Sequence, residues 1–273
     1  MHLPPVRLRT RLLNTPEIEL WPCALLRARG NADARALARA RLVLRRKRDG
    51  RYLAAARDDG LLALVPRLAR EPGIDAALDA LDAHQAPSVR RGPPPPPAEL
   101  PVLRLHERLQ ALGIDAQTYA ARTALPRVAE PDWLAFAGFD RWRRPLWLTL
   151  GASRAWEAMR RAAGGEGVAL DAISGYRSHD YQLGIFERKI ARGQCVPDIL
   201  QVNAAPGYSE HHGGDALDIG TPGEPPAEES FERTAAFAWL QAHAGGHGFA
   251  LSYPRDNAHG IVYEPWHWRY RGG

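Results

Sequence analysis

Apolar side chains recur at helical spacing through residues 153–163, where Trp156, Met159 and Ala163 share one face. The same period predicts a helix from His179, with Tyr181, Ile185, Phe186 and Ile190 along it and Ser178 as its N-cap. Further helices are predicted over 103–112, 117–122 and 231–244. Strand signals lie between them. In 213–220, Leu217 and Ile219 alternate with Ala216 and Asp218, so two apolar side chains can enter a core while Asp218 faces a cleft. The glycine pair 213–214 permits a sharp turn just before that strand. Segment 260–270 is rich in β-branched and aromatic residues and reads as another strand, and 249–253 as a third. Helices gathered before and between a few strands predict an α+β fold with a small antiparallel sheet and helices packed around it.

Five consecutive prolines at 93–97 interrupt these patterns and form a semi-rigid spacer. They divide the chain into an N-terminal region (1–89), a proline-rich linker (90–99) and a larger domain (100–273). In the N-terminal region, the apolar runs 42–44 and 52–55 flank Arg48-Asp49-Gly50, a hairpin signal, and short helices are predicted over 32–40 and 74–81. No catalytic constellation occurs there. The region is either a small binding module or a packing extension of the larger domain.

The formal net charge of +5 changes this picture little. Its arginines are dispersed among alanines without a nucleic-acid motif, so no nucleic-acid partner is expected. Cys23 and Cys195 are too few for a thiolate zinc site. Residues 1–9 lack the apolar core of a signal peptide, and no run approaches the roughly 20 apolar residues of a membrane helix. A cytoplasmic monomer without a membrane span is expected. An exported or periplasmic protein is the alternative if a leader precedes the sequence.

The chemistry concentrates in two late segments. Ser209-Glu-His-His-Gly-Gly-Asp-Ala-Leu-Asp218 and Glu264-Pro-Trp-His267 supply two imidazoles, a carboxylate ligand and a spare carboxylate. A hydrolytic zinc site needs three protein ligands, an open position and a nearby base. His211, Asp218 and His267 are assigned to Zn2+ and Glu264 to the base. A lone His-x6-Asp pair is more often a surface hydrogen-bonded pair; the E-x-x-H block and the arginine block Ser174-Gly-Tyr-Arg-Ser178 together reverse those odds. His212 is read as a neighbour of the site or as a donor behind its ligands. His179, His243, His247 and His259 are read as ordinary polar residues. Positions 264 and 267 fall on opposite faces of a regular strand, so a bulge at Pro265 is predicted to swing Glu264 toward His267.

The pattern S-x-H-x-x-G-x-A-x-D with a later E-x-x-H, together with Ser174-Gly-Tyr-Arg-Ser178 and Gln182, resembles the VanY-type D-alanyl-D-alanine carboxypeptidases, over roughly residues 100–273. The resemblance implies an α+β domain with zinc at the sheet centre, acting on the D-Ala-D-Ala ends of peptidoglycan stem peptides. It implies that Arg177 stabilises the oxyanion of the scissile carbonyl, and that Ser209 and Gln182 bind the peptide and its carboxylate. Rival activities are an L-Ala-D-Glu endopeptidase, an L,D-carboxypeptidase and a D-Ala-D-Ala dipeptidase of the same family. A rival of another class is a non-catalytic wall-peptide-binding protein, against which the free carboxylate of Glu264 counts. Tyr253 and Trp266 are candidates to line the substrate pocket.

Overall fold

The hairpin expected near Gly50 forms, and it is the middle of a longer meander. The computed structural model describes residues 10–28, 30–85 and 94–272, so residues 1–9 and the linker residues 90–93 lie outside it. The described chain divides into two compact units, 1–101 with 131–135, and 102–130 with 136–273.

In the first unit, β1 (Arg11–Asn14), β2 (Ile18–Pro22), β3 (Ala40–Arg46), β4 (Tyr52–Arg57) and β5 (Gly60–Ala63) pair antiparallel in the order β5-β4-β3-β2-β1. The β3–β4 turn works because Gly50 takes φ +69°, a region costly for any residue with a Cβ. Its N–H bonds to Arg46 O at 2.9 Å. Two helices, α1 (Asn31–Leu37) and α2 (Ile74–Gln85), complete the unit, the second one turn longer than expected. Residues 131–135 count with this unit although the sequence reading placed them in 100–273. The cause is the edge of β1, whose Leu12 pairs with Leu134 in antiparallel register. Asp132 fixes the join by accepting from Ala98 N at 2.8 Å and donating to Ala98 O at 2.9 Å.

The second unit begins with α3 (Leu105–Ala111) and α4 (Ala116–Thr123), the latter N-capped by the Asp115 side chain. The strand β6 (Trp133–Phe139) passes here into a hairpin with β7 (Pro145–Leu148), closed by Asp140 N–H to Arg144 O at 2.9 Å. Then follow α5 (Leu150–Gly165), β8 (Asp171–Ser174), α6 (His179–Ile190), α7 (Val196–Val202), β9 (Ala216–Gly220), α8 (Ala235–His243), β10 (Phe249–Leu251) and β11 (His267–Tyr270). Thr149 and Ser178 accept from the third N–H of α5 and α6, and Ser178 is the cap that the sequence predicts. The helix expected over 231–244 is shorter at its start, because Thr234 caps α8 and a 3₁₀ turn occupies 229–233.

Four strands form an antiparallel sheet in the order β10-β11-β9-β8. The α+β expectation holds. One face of this sheet is a core in which Ala172, Leu217, Ile219, Phe249 and Trp268 pack with Trp156, Met159 and Ala163 of α5 and Leu240 of α8. A second apolar cluster joins α3, α4, α6 and α7 through Leu109, Tyr119, Phe186, Ile199 and Tyr208. The segment 260–270 departs from the expectation. Only His267–Tyr270 is strand; 260–264 runs as irregular chain and 265–266 is a turn. Among the described residues, no helix is long and apolar enough to cross a membrane.

Trp156 is 1% exposed at the centre of the α5 face. Trp156→Ala should therefore destabilise this unit by about 3–5 kcal/mol, the usual cost of emptying a large buried aromatic site. Chemical denaturation followed by far-UV circular dichroism measures it. A loss below about 1 kcal/mol would mean that α5 is not anchored through this side chain.

Candidate metal centre

Register decides which side chains meet. In β9 and β11, the two central strands, His267 stands directly opposite Asp218, and Trp268 opposite Leu217. Side chains alternate across a strand, so the apolar pair enters the core and the polar pair shares the other face. His267 Nδ1 lies 3.0 Å from Asp218 Oδ1. His211 reaches the same point from a 3₁₀ turn, Glu210–Gly213, which Gly214 ends at φ +76°. This is the turn that the glycine pair predicts. His211 Nε2 stands 3.3 Å from Asp218 Oδ2. Candidate ligand atoms of His211, Asp218 and His267 all lie within 4.8 Å of one another.

The hydrogen bonds fix the state of each ring. A carbonyl oxygen can only accept, so His211 Nδ1 donates to Gly175 O at 2.7 Å and leaves its Nε2 lone pair toward Asp218. That nitrogen is buried and has no hydrogen-bond partner. Burial and the nearby Arg177 push the His211 pKa down to about 4, against the pull of Asp218. On His267, Nε2 donates to Glu210 Oε2 at 2.9 Å, and Nδ1 faces Asp218. Burial lowers the His267 pKa, but Asp218 and Glu210 on its two sides raise it further, to about 10. Burial also opposes ionisation of Asp218, yet His211 and His267 hold its carboxyl well below the usual range. Glu210 was not anticipated from the sequence, where the two histidines beside it drew the reading. It accepts from His267 and from Arg269 Nη1 at 3.0 Å, and so orients a ligand from behind.

His212 is closed to any metal. Its Nδ1 donates to Arg177 O at 2.7 Å and its Nε2 accepts from Gly207 N at 3.0 Å. Burial and the neighbouring His179 keep its pKa well below 6.5. The reading of His179 as an ordinary polar residue is corrected. His179 is buried, its ring meets His212 edge to face at 4.3 Å, and its Nε2 lies 2.8 Å from Val128 O. Glu130 accepts from His179 N at 2.8 Å and from the Tyr176 hydroxyl. This network backs the loop that carries Arg177. That loop is also tied by Arg177 N–H to His211 O at 3.2 Å.

The predicted bulge at Pro265 is corrected as well. Glu264 O accepts from His267 N at 3.1 Å, which closes a tight turn over 264–267. Proline is favoured at the second position of such a turn. The turn, not a bulged strand, brings Glu264 Oε2 to 3.8 Å from His267 Nδ1. Burial raises the Glu264 pKa to about 7; His267 and Arg177 oppose the rise, while Asp218 and Glu210 add to it.

One cleft of about 240 Å³ gathers every site residue named from the sequence: Arg177, Gln182, Ser209, His211, Asp218, Glu264 and His267. Tyr253 and Trp266 line it too, as does Lys189, which the sequence reading passed over. Gln182 donates its amide to Ala204 O at 2.8 Å and keeps a buried Oε1 without a partner. Arg177 Nε is likewise buried without one. The donor set fits a divalent cation. A buried, unpartnered imidazole lone pair, a second imidazole facing the same carboxylate and that ionised carboxylate converge on one point.

The model of the D-alanyl-D-alanine carboxypeptidase family VanY matches residues 146–273. YodJ of Bacillus subtilis (strain 168) is 36% identical over 157 residues, 55% of this chain and 57% of that protein. The chain thus spans little more than half of that relative's length. VanXYC of Enterococcus gallinarum, a bifunctional D-Ala-D-Ala dipeptidase and carboxypeptidase, is 31% identical over 153 residues, 54% of this chain. A solved structure of a VanB-type VanY D,D-pentapeptidase in complex with Zn(II) shares 29% identity over 46% of this chain and 74% of its own, with TM-score 0.40. With 78% of VanXYC covered at that identity and the family's own model matched over its C-terminal part, the chain belongs to the VanY D-alanyl-D-alanine carboxypeptidase family.

Proposed function

We propose that this protein is a zinc-dependent carboxypeptidase that hydrolyses the terminal D-Ala-D-Ala bond of bacterial cell-wall peptides. The observation that carries the reading is the convergence of His211 Nε2, Asp218 and His267 Nδ1 in a cleft that also holds Glu264 and Arg177. Family membership supports it, as does the activity that VanXYC is named for.

His211, Asp218 and His267 would hold the ion, with Nδ1 of His267 exchanging its proton for the metal. When bound, zinc polarises the scissile carbonyl and lowers the pKa of a water toward about 7. Glu264 sits beside the ligand set without belonging to it, and takes the water's proton. It returns that proton to the leaving amine, so no covalent acyl-enzyme forms. Arg177 supplies a permanent positive charge where the carbonyl oxygen becomes anionic. Its backbone is held on both sides by the His211–His212 turn, which keeps the guanidinium in register with the ligands. Gln182 Oε1 accepts a peptide N–H, and the Ser209 hydroxyl donates to the substrate carboxylate. Incubation with wall pentapeptide, tetrapeptide and free dipeptide, read by mass spectrometry alongside metal analysis, tests the assignment. Release of D-Ala from pentapeptide by the zinc-loaded protein is expected. A zinc-loaded protein that leaves all three peptides intact would defeat it.

Ligands and base separate cleanly by substitution. Glu264→Gln should lose most turnover while zinc stoichiometry stays near that of the parent. His267→Ala should lose both metal and turnover. Equal zinc loss in the two variants would make Glu264 a ligand and remove the base.

Arg177→Ala should lower kcat by about 10²–10³ with zinc content unchanged, the usual effect of deleting one oxyanion donor. Lysine should restore little, because one ammonium cannot reproduce the planar fork. Turnover near the parent's would leave the metal alone on the oxyanion.

Glu210→Ala tests the carboxylate behind His267. Zinc affinity, measured by competition with a chromophoric chelator, should fall about 10–100-fold, the typical effect of losing such an orienting partner. An unchanged affinity would show that strand β11 alone orients the ring.

A further inference from the structure

Lys189 is the one cleft residue with a full charge that the reaction leaves unused. The other charged residues of the cleft are Arg177, Asp218 and Glu264, and each has a part in the chemistry proposed above. Lys189 stands in the last turn of α6, seven residues after Gln182. Seven residues make almost two helical turns, so both side chains leave the same face of the helix. Its neighbour Arg188 turns away and lies over the Tyr181 ring at 5.8 Å.

A lysine at this position has an ordinary explanation, as a cation that satisfies the end of a helix. The end of α6 is already satisfied by backbone. Ala191 N–H bonds to Glu187 O at 2.9 Å, and the Lys189 carbonyl accepts from Arg192 N at 3.0 Å and Gln194 N at 3.2 Å. No carboxylate among the described residues lies within salt-bridge distance of Lys189, although Asp180 on the same helix pairs with Arg108 at 2.7 Å. Partial burial lowers the Lys189 pKa, the sign of an ammonium that has given up water without gaining a counter-charge.

We infer that Lys189 is a specificity residue that binds a second carboxylate of the substrate peptide, separate from the one at its cleaved end. This rests on the carboxypeptidase reading above. The spacing sets where that carboxylate stands. Seven residues of helix cover about 10 Å, and an extended peptide advances about 3.3 Å per residue. An anionic group two to four residues before the terminal residue reaches Lys189 while the terminal pair lies beside Gln182 and Ser209. Val202 and Asn203, which line the cleft with Lys189, offer one apolar and one amide contact to the intervening residues. A peptide ending in D-Ala-D-Ala with a free carboxylate at its second or third residue has the required form. The same peptide with that group amidated lacks the charge.

The test uses the zinc-loaded full chain and two pentapeptides that differ only in that carboxylate, free or amidated. For the parent, kcat/KM should favour the free acid by about tenfold, the scale of one charge-assisted hydrogen bond. In Lys189→Met, which keeps the length and apolar stem of the side chain, the preference should collapse to about unity through KM rather than kcat. Lys189→Arg should retain the preference, and Lys189→Glu should invert it. A parent with no preference, or a preference that survives in Lys189→Met, overturns the inference. Should the parent cleave neither peptide, the carboxypeptidase reading fails by itself. Calorimetric titration of the two peptides then still decides Lys189: affinity for the free acid must exceed that for the amide in the parent and not in Lys189→Met, and any other result overturns the assignment.

Discussion

The pairing of β9 with β11 is the constraint on which the rest of the site depends. His267 and Asp218 can share a metal only because they are direct cross-strand partners. What enforces that partnership is the opposite face of the same two strands, where Leu217 and Trp268 are buried in the core. A slip of one residue would turn the tryptophan to the cleft and the histidine into the hydrophobic cluster. The polar site is therefore positioned by apolar packing behind it. The sheet register thus places Asp218 and His267, while His211 is placed by the 3₁₀ turn that precedes β9.

The ligand atoms are also chosen before a metal arrives. Each imidazole has two nitrogens, and in each ring one is committed elsewhere: to the Gly175 carbonyl in His211 and to Glu210 in His267. The remaining nitrogens face the same carboxylate, Nε2 of His211 with its lone pair and Nδ1 of His267 with a proton that a metal would displace. His212 shows the opposite outcome. Both of its nitrogens are spent on the backbone, at Arg177 O and Gly207 N, so a histidine adjacent to a ligand serves as a brace. This difference between neighbouring histidines lies in their hydrogen-bond partners, of which Gly175 stands 36 positions from His211 and Arg177 stands 35 from His212.

That distance marks the limit of what the sequence discloses. His211, Asp218 and His267 were legible because residue type and spacing mark them, and the α5 face was legible because Trp156, Met159 and Ala163 repeat at helical spacing. Glu210 was not, since nothing in its neighbourhood distinguishes an orienting carboxylate from a surface one. The His179–Glu130–Tyr176 network was not, because it joins three segments with no common pattern. The strand β1 was not, because Leu12, Leu13 and Asn14 are buried in succession and leave no alternation to read. Glu264 was placed beside His267 for the wrong reason. A three-residue separation contradicts a strand, and both a bulge and a tight turn resolve the contradiction. Only the 264–267 hydrogen bond distinguishes them.

That turn has a consequence for how the site behaves when the fold breathes. The carboxylate and the imidazole three residues after it belong to one small ring of backbone closed by a single hydrogen bond. Thermal displacement of β11 relative to β9 would alter the spacing between His267 and Asp218, yet it would carry Glu264 along with His267. The separation of proton acceptor from ligand is thus a local property of four residues, insulated from the slower motions of the sheet. Warming should loosen the grip on the ion before it disturbs the geometry of proton transfer.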